Sequence, residues 1–173
     1  MWRIVTVSAL ALGMAACAPI NATTSAGART AGVLAEGDYQ VFGPGDFQSF
    51  VKNRDGNAPL CARIASEADW DRYFGAAAVM GPMKPFGPPA SLWRTHNTYL
   101  LARDGSGGGN IEDMLKVRRV ERGAGSVKIE TAFSGPATGS FQVTTYVLVA
   151  LPKPVSGTVE FREQGRAICS VRA

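Results

Sequence analysis

Apolar and polar residues alternate along much of the chain beyond residue 38, with the period of two that is typical of β-strands. Over 127–133, for example, Lys128 and Glu130 separate residues that are apolar or β-branched. This pattern predicts an antiparallel strand with one face in the core and the other in water. The run 146–151 is apolar almost throughout, which predicts a strand in the centre of a sheet.

Turn signals rich in glycine, proline or asparagine separate the other strand candidates. These candidates are 39–42, 47–51, 60–65, 98–103, 111–121, 141–151, 159–162 and 166–171. The last two are joined at Gln164-Gly165, which predicts a closing hairpin.

One segment has the helical period instead. Ser66 is a suitable N-cap for a short helix that ends near Gly75. The aromatic residues of this segment fall three and four positions apart on one face, which indicates core packing: Trp70, Tyr73 and Phe74. The predicted fold is therefore mostly β (α+β). We expect one globular domain over 38–173, a small antiparallel β sandwich or barrel with one short α-helix.

The segment 76–96 predicts a long irregular loop, because it contains four prolines and two glycines. Loops of this length often carry function. Apolar and aromatic residues in it are candidates for a partner-binding surface: Met80, Met83, Phe86, Leu92 and Trp93. The alternative, that these side chains fold back and cover the sheet, stays open.

The first sixteen residues have the pattern of a cleavable export signal. Arg3 precedes an apolar stretch that is too short to span a bilayer as a permanent helix. The stretch ends in Met-Ala-Ala-Cys17, which resembles a lipobox. We therefore predict a lipoprotein signal peptide at 1–16, and a lipidated Cys17 that begins a flexible tether over 17–37. The alternative is an ordinary secretory signal with Cys17 as a spare thiol.

Lipidation sets the expected location. Several acyl chains on one cysteine, palmitate among them, hold a protein to a membrane far more firmly than a single chain does. Ala18 follows the cysteine at the place where an inner-membrane retention signal is usually Asp. By resemblance to enterobacterial sorting, this favours the outer membrane. We expect the bacterial cell envelope, with the domain facing the periplasm and bound to the membrane through its lipid anchor.

Two cysteines remain once Cys17 is assigned to lipid. Cys61 and Cys169 are an even pair in an oxidising compartment, which predicts a disulfide. Such a bond closes a loop of about 100 residues and adds up to about 4–5 kcal/mol in the chain-entropy model. The alternative is that both are small buried apolar residues. Two cysteines and the single His96 do not make a tetrahedral site, so we expect no bound metal.

The charge balance is only mildly basic. Eighteen basic and 14 acidic residues give a formal net charge of +4. This indicates solubility and some attraction to anionic lipid headgroups, whereas nucleic-acid binding requires a clustered basic face. The one dense basic run, 116–122, alternates as a strand does and is either a solvated strand face or a binding stripe. We expect no nucleic-acid partner.

The order of elements is also informative. A tryptophan-bearing helix at 67–74 is followed by a proline-rich loop and a strand at 99–102. A glycine-rich turn at 107–111 and further strands at 144–153 and 159–161 come next. This order resembles the carboxy-terminal domain of the protease complex subunit PrcB family, small bacterial lipoproteins or secreted proteins. Asn110 stands where that pattern has an aromatic residue. The resemblance implies a noncatalytic partner-binding domain, associated in the type case with a surface protease.

No motif in the sequence names a reaction. His96 is the only histidine, and no G-x-S-x-G sequence accompanies it to place a nucleophile. The glycine-rich stretch 105–109 lacks the Lys-Ser/Thr of a phosphate-binding loop, and we expect no cofactor. The expected function is noncatalytic: an adaptor or accessory domain that binds another envelope protein. The alternative is a small-ligand or lipid carrier, which requires a wide apolar cavity.

Overall fold

The structure is a computed structural model, and it describes residues 31–52, 58–78, 82–106, 110–135 and 142–173. The strands in these ranges are β1 (Gly32–Val33), β2 (Gln40–Phe42), β3 (Ser49–Val51), β4 (Leu60–Ile64), β5 (Phe74–Ala76), β6 (His96–Ser106), β7 (Leu115–Arg122), β8 (Ser126–Phe133), β9 (Gln142–Pro152), β10 (Thr158–Glu163) and β11 (Arg166–Arg172). The helices are α1 (Glu67–Tyr73) and α2 (Ala90–Thr95), and Ile111–Asp113 forms a 3₁₀ turn.

Two sheets contain most of the strands. The front sheet has the order β1-β7-β8-β10-β11, and the back sheet has the order β2-β9-β6-β4, with the apolar strand β9 inside it. Neighbouring strands are antiparallel except β8 and β10, which run parallel. β3 and β5 form a separate antiparallel pair. The predicted mostly β class is confirmed, and the two sheets pack as a small sandwich rather than closing into a barrel.

The core between the two sheets follows from the alternation along the strands. Leu101 and Val149 of the back sheet and Ile129 and Phe161 of the front sheet are fully buried there. Each such side chain stabilises the fold by about 1.5–3 kcal/mol relative to exposure. Lys128 is exposed between buried neighbours, so the strand predicted at 127–133 is confirmed with its apolar face inward.

A third layer, formed by α1, the β3–β5 pair and α2, covers the other face of the back sheet. The Ser66 side chain accepts a hydrogen bond from the Asp69 backbone N–H at 3.1 Å and caps α1, as the sequence predicted. Trp70 on this helix is 1% exposed. Its ring stacks on Phe74 with centroids 3.7 Å apart, and Phe74 packs edge-on against Tyr146 of β9 at 5.1 Å. The aromatic stripe is therefore core packing.

The outer face of the front sheet carries charges in an alternating array. Across β7, β8 and β10, one row places Glu130 between Arg119 and Arg162, and the next places Lys128 between two glutamates, Glu121 and Glu160. Directly opposed residues of opposite charge stabilise a sheet by about 0.2–1 kcal/mol each. The basic run 116–122 thus lies largely in a face whose positive charges are matched by neighbouring negative ones.

One side of the sandwich is joined covalently. Cys61 on the edge strand β4 and Cys169 on the edge strand β11 form the predicted disulfide, with Cα atoms 6.3 Å apart. Both cysteines also pack against the core between the sheets. We call this edge, formed by β4 and β11, the stapled side.

The prediction of a single helix and an irregular loop over 76–96 is wrong in part. Ala90–Thr95 is a second helix, and its N-cap is Pro89 with φ −66°. A proline at a helix start costs no hydrogen bond, because the first-turn N–H groups have no partner inside the helix. Prolines 88 and 89 therefore precede a helix that they were expected to prevent.

Two other boundaries differ from the expectation. Gly32–Val33 lies in the segment expected to be a tether, yet it pairs with Arg122 and Glu121 of β7. The chain is therefore part of the front sheet several residues before the expected domain boundary. Ile111–Asp113 forms a 3₁₀ turn where the strand 111–121 was expected to begin, and Asn110 caps that turn by accepting from the Glu112 N–H at 3.2 Å.

Candidate functional site

Four of the five residues predicted to form a partner-binding surface are described, and they fall in two different environments. Met83 is 92% exposed and Phe86 is 39% exposed. Leu92 is 6% exposed and Trp93 is partly buried against the third layer, both on α2. The two predicted interpretations therefore each apply to half of the set: Leu92 and Trp93 fold back on the protein, and Met83 and Phe86 remain at the surface. Met80 lies outside the described residues.

Residues 82–87, which we call the docking loop, are held from several directions. The Lys84 ammonium donates to the Gly45 carbonyl, and the Pro85 carbonyl accepts from the Gln48 backbone N–H at 2.9 Å. The Phe86 ring packs edge-on against Trp70, with centroids 6.3 Å apart. Met83 is thus an exposed apolar side chain on a loop whose following residues are anchored.

Gly87 brings the docking loop against Trp70. A Cβ at this position would lie 2.7 Å from the indole ring, closer than real Cβ atoms approach. The Trp70 ring nitrogen is buried and has no hydrogen-bond partner among the described residues. The absence of a side chain at residue 87 therefore lets the loop cover the indole completely.

A groove lies on the side of the sandwich opposite the stapled side, beside β2 and the start of β7. Its volume is about 590 Å³, within the range of about 300–1,000 Å³ that is typical of ligand pockets. Apolar side chains from three strands line it: Val41, Leu115, Val117 and Val147. We call it the side groove and this edge of the sandwich the open side.

Short turns precede and follow β2 beside the side groove. Asp38 accepts from the Ala35 backbone N–H at 3.0 Å and fixes the turn that leads to β2. Asp46, which lines the groove, accepts from the Gly43 N–H at 2.7 Å. Glu112 lies over Gly45, where an added Cβ would be 2.5 Å from the carboxylate. The Glu112 carboxylate therefore sits directly against the turn at 43–46.

The polar lining of the side groove is more acidic than the chain as a whole. Three carboxylates and two lysines line it: Glu36, Asp46, Glu112, Lys84 and Lys116. The Lys116 ammonium is paired with Asp113 at 2.8 Å, outside the lining. Because that pair cancels one lysine, the groove has a negative excess in a chain of formal net charge +4.

Three buried hydroxyls have poorly satisfied hydrogen-bonding capacity. Among the described residues, the Tyr99, Tyr146 and Ser49 hydroxyls are buried and make no hydrogen bond of ordinary geometry. Burial raises the pKa of Tyr146 to about 12, the Asp46 charge adds to the increase, and the Ser49 hydroxyl opposes it. Burial also raises the pKa of Tyr99, against the opposing effects of nearby Arg63, Asn97 and Arg122. Both tyrosines stay neutral at physiological pH.

The remaining sequence predictions have little structural context. The His96 ring nitrogen Nδ1 lies 2.8 Å from the Thr95 hydroxyl, at the end of α2. Within the described ranges, no group of three or more His, Cys, Asp or Glu residues is arranged to hold a metal ion. No helix in the same part of the chain has the length and apolar character needed to cross a bilayer. Cys17 and the predicted signal peptide lie outside the described residues.

Comparison of the chain with models of known protein families, with curated proteins and with solved structures finds no significant match. The resemblance to the PrcB family therefore stays a prediction.

Sequence reasoning missed the side groove. Its lining comes from four separate parts of the chain, 36–46, 84, 112–117 and 147, so no local sequence pattern marks it. The functional candidates are thus two adjacent features that share Lys84: the docking loop and the side groove.

Proposed function

We propose that this protein is a noncatalytic adaptor of the bacterial cell envelope that docks onto another envelope protein through the docking loop. The observation that carries the proposal is the exposure of Met83, at 92%, on a loop whose next four residues are fixed against the domain. An exposed methionine on a preformed surface is a common feature of protein-binding sites.

Two contributions to the binding free energy favour docking through this loop. Complete burial of a methionine side chain under a partner contributes about 1.5–3 kcal/mol. Because the loop is already ordered by Lys84, Pro85 and Gly87, binding has little additional backbone entropy to overcome. Phe86, which is partly exposed beside Met83, extends the apolar contact. The pair has the chemistry of a small hot spot.

We propose further that the domain is held at a membrane, through lipid on Cys17 and a tether that leads into β1. The support is the lipobox-like sequence before Cys17. A lipid anchor confines the domain near the envelope surface, and this raises its effective concentration toward a partner in the same membrane. The outer membrane, with the domain facing the periplasm, is the proposed location.

Site-specific photocrosslinking in intact envelopes tests the adaptor function. A photoreactive residue at Met83 is expected to crosslink one envelope protein, because the side chain projects toward the partner. The matched control is the same residue at Lys128, on the charged face of the front sheet. The product should also disappear in Phe86→Ser. Identical products from both positions, or no product from position 83, would overturn the proposal.

A small-ligand carrier remains the second candidate, and the side groove is the observation that favours it. A carrier of the predicted kind needs a wide apolar cavity, whereas the described core between the sheets is filled by side chains such as Leu101, Val149 and Phe161. The groove is open and half polar. Native mass spectrometry of the purified protein separates the two functions, because a carrier is expected to retain a small molecule.

A further inference from the structure

We infer that the side groove binds a short extended segment of the partner protein in which a lysine or arginine stands beside apolar residues. This inference rests on the proposed adaptor function and specifies the partner chemistry. It concerns the groove next to the docking loop, so one partner can contact both features at once. Lys84 belongs to both, since it follows Met83 and also lines the groove.

The shape and lining fit a long basic side chain. Lysine and arginine lay their alkyl stems along apolar surface while their charged ends stay near water and counter-charges. Val41, Val117 and Val147 supply the apolar surface in the groove. Glu36 and Glu112 supply carboxylates, and neither makes an ion pair with another described residue. Each carboxylate is therefore available to a basic head group.

The negative charge of the side groove favours a positively charged occupant. The groove is net negative on a chain that is net positive, so the groove departs from the surface average. Lys84 already donates to the Gly45 carbonyl, and Lys116 is paired with Asp113. Electrostatic complementarity speeds the encounter with the right partner and disfavours the wrong one. An acidic segment would meet Glu36, Asp46 and Glu112 with like charge.

An edge strand supplies backbone groups for the segment. β2 is the end strand of the back sheet, and among the described residues no strand pairs with its outer edge. Val41 is exposed on this strand. Edge strands commonly recruit extended peptides through main-chain hydrogen bonds, with side-chain pockets that give specificity. The groove beside β2 thus combines an open edge, an apolar surface and carboxylates.

A peptide selection tests the inference without knowledge of the partner. Random heptapeptides displayed on phage are selected against the immobilised mature chain, and the selected peptides are synthesised with a fluorescent label for anisotropy titration. We expect enrichment of lysine or arginine beside β-branched or aromatic residues. Glu36→Gln with Glu112→Gln should weaken the selected peptide at least tenfold, because it removes both unpaired carboxylates.

The matched control is Glu67→Gln with Asp71→Asn on the exposed face of α1, which changes the net charge equally and should alter affinity less than twofold. Enrichment of acidic or neutral peptides, no enrichment, or equal binding by the groove variant overturns the inference. Crosslinking at Met83 is an independent readout. If crosslinking succeeds and peptide selection fails, the groove inference alone is wrong. If peptide selection succeeds and crosslinking fails, the proposed role of the docking loop is wrong.

Discussion

The two long sides of the sandwich differ in how the sheets meet. On the stapled side, the edge strands β4 and β11 are joined by Cys61 and Cys169 and pack against each other. On the open side, no described strand joins β2 to β7, and the side groove occupies the space. A covalent link on one side holds the sheets together, so the other can expose a groove without the sheets separating. The side groove proposed to bind a partner therefore lies on the side that no disulfide among the described residues joins.

Removing the disulfide is expected to have the largest effect on the difference between the two sides. Cys61→Ala with Cys169→Ala should lower the free energy of unfolding by up to about 4–5 kcal/mol, since the bond closes a loop of 108 residues. Urea unfolding followed by tryptophan fluorescence measures the change. Wild-type protein unfolded in reducing agent is the control and should match the variant. Equal midpoints for oxidised wild type and variant would show that packing alone holds the stapled side.

Unfolding at alkaline pH tests whether burial raises the pKa of Tyr146, on strand β9 next to β2. Tyr146 has its pKa raised from the ordinary value of 10 to about 12, so the folded protein keeps a proton that the unfolded chain loses. The contribution of Tyr146 to the free energy of unfolding is thus constant below pH 10 and falls by up to about 3 kcal/mol as pH rises from 10 through 12. Urea titrations between pH 8 and pH 11.5 measure this.

Tyr146→Phe is the control for the pH series. Its stability at pH 8 should change by less than about 1 kcal/mol, because the hydroxyl it removes makes no hydrogen bond of ordinary geometry among the described residues. Its loss of stability with rising pH should be shallower, and the remaining slope comes partly from Tyr99, whose pKa is also raised. Identical slopes in both proteins would exclude Tyr146 as the source.

A smaller effect is expected at the junction between the docking loop and the third layer. Gly87→Ala places a methyl group against the Trp70 ring and should cost about 1–2 kcal/mol through overpacking, with a red-shifted tryptophan emission as the loop lifts. Crosslinking from Met83 should fall in the same variant. Gly125→Ala, whose added Cβ has open space, is the matched control. Unchanged emission in Gly87→Ala would mean that the loop does not need to cover the indole.

Local signals predicted the parts of the fold whose chemistry is local. The Ser66 cap, the alternation around Lys128 and the turn at Gln164-Gly165 each depend on residues close together in sequence, and each is confirmed. The disulfide was predicted from compartment and count rather than from geometry. α2 was missed because prolines were interpreted as helix breakers, although Pro89 stands at a helix start.

The functional surfaces were less predictable because they depend on tertiary packing. Sequence composition marked Met83, Phe86, Leu92 and Trp93 as one apolar set, yet burial of Leu92 divides the set. The parallel pairing of β8 with β10 was not expected, since β9 intervenes and belongs to the other sheet. The side groove was invisible for the same reason, because strands distant in sequence create it.

The alternating charges on the front sheet also restrict the other registers that its strands can adopt. A slip of one residue turns the apolar faces outward, so only slips of two keep the core intact. In one such slip of β8 along β10, Lys128 stands opposite Arg162, and in the other Glu130 stands opposite Glu160. Like charges directly opposed are destabilising. The pattern therefore penalises the misaligned sheets that hydrophobic burial alone would accept, and it favours one pairing as the chain folds.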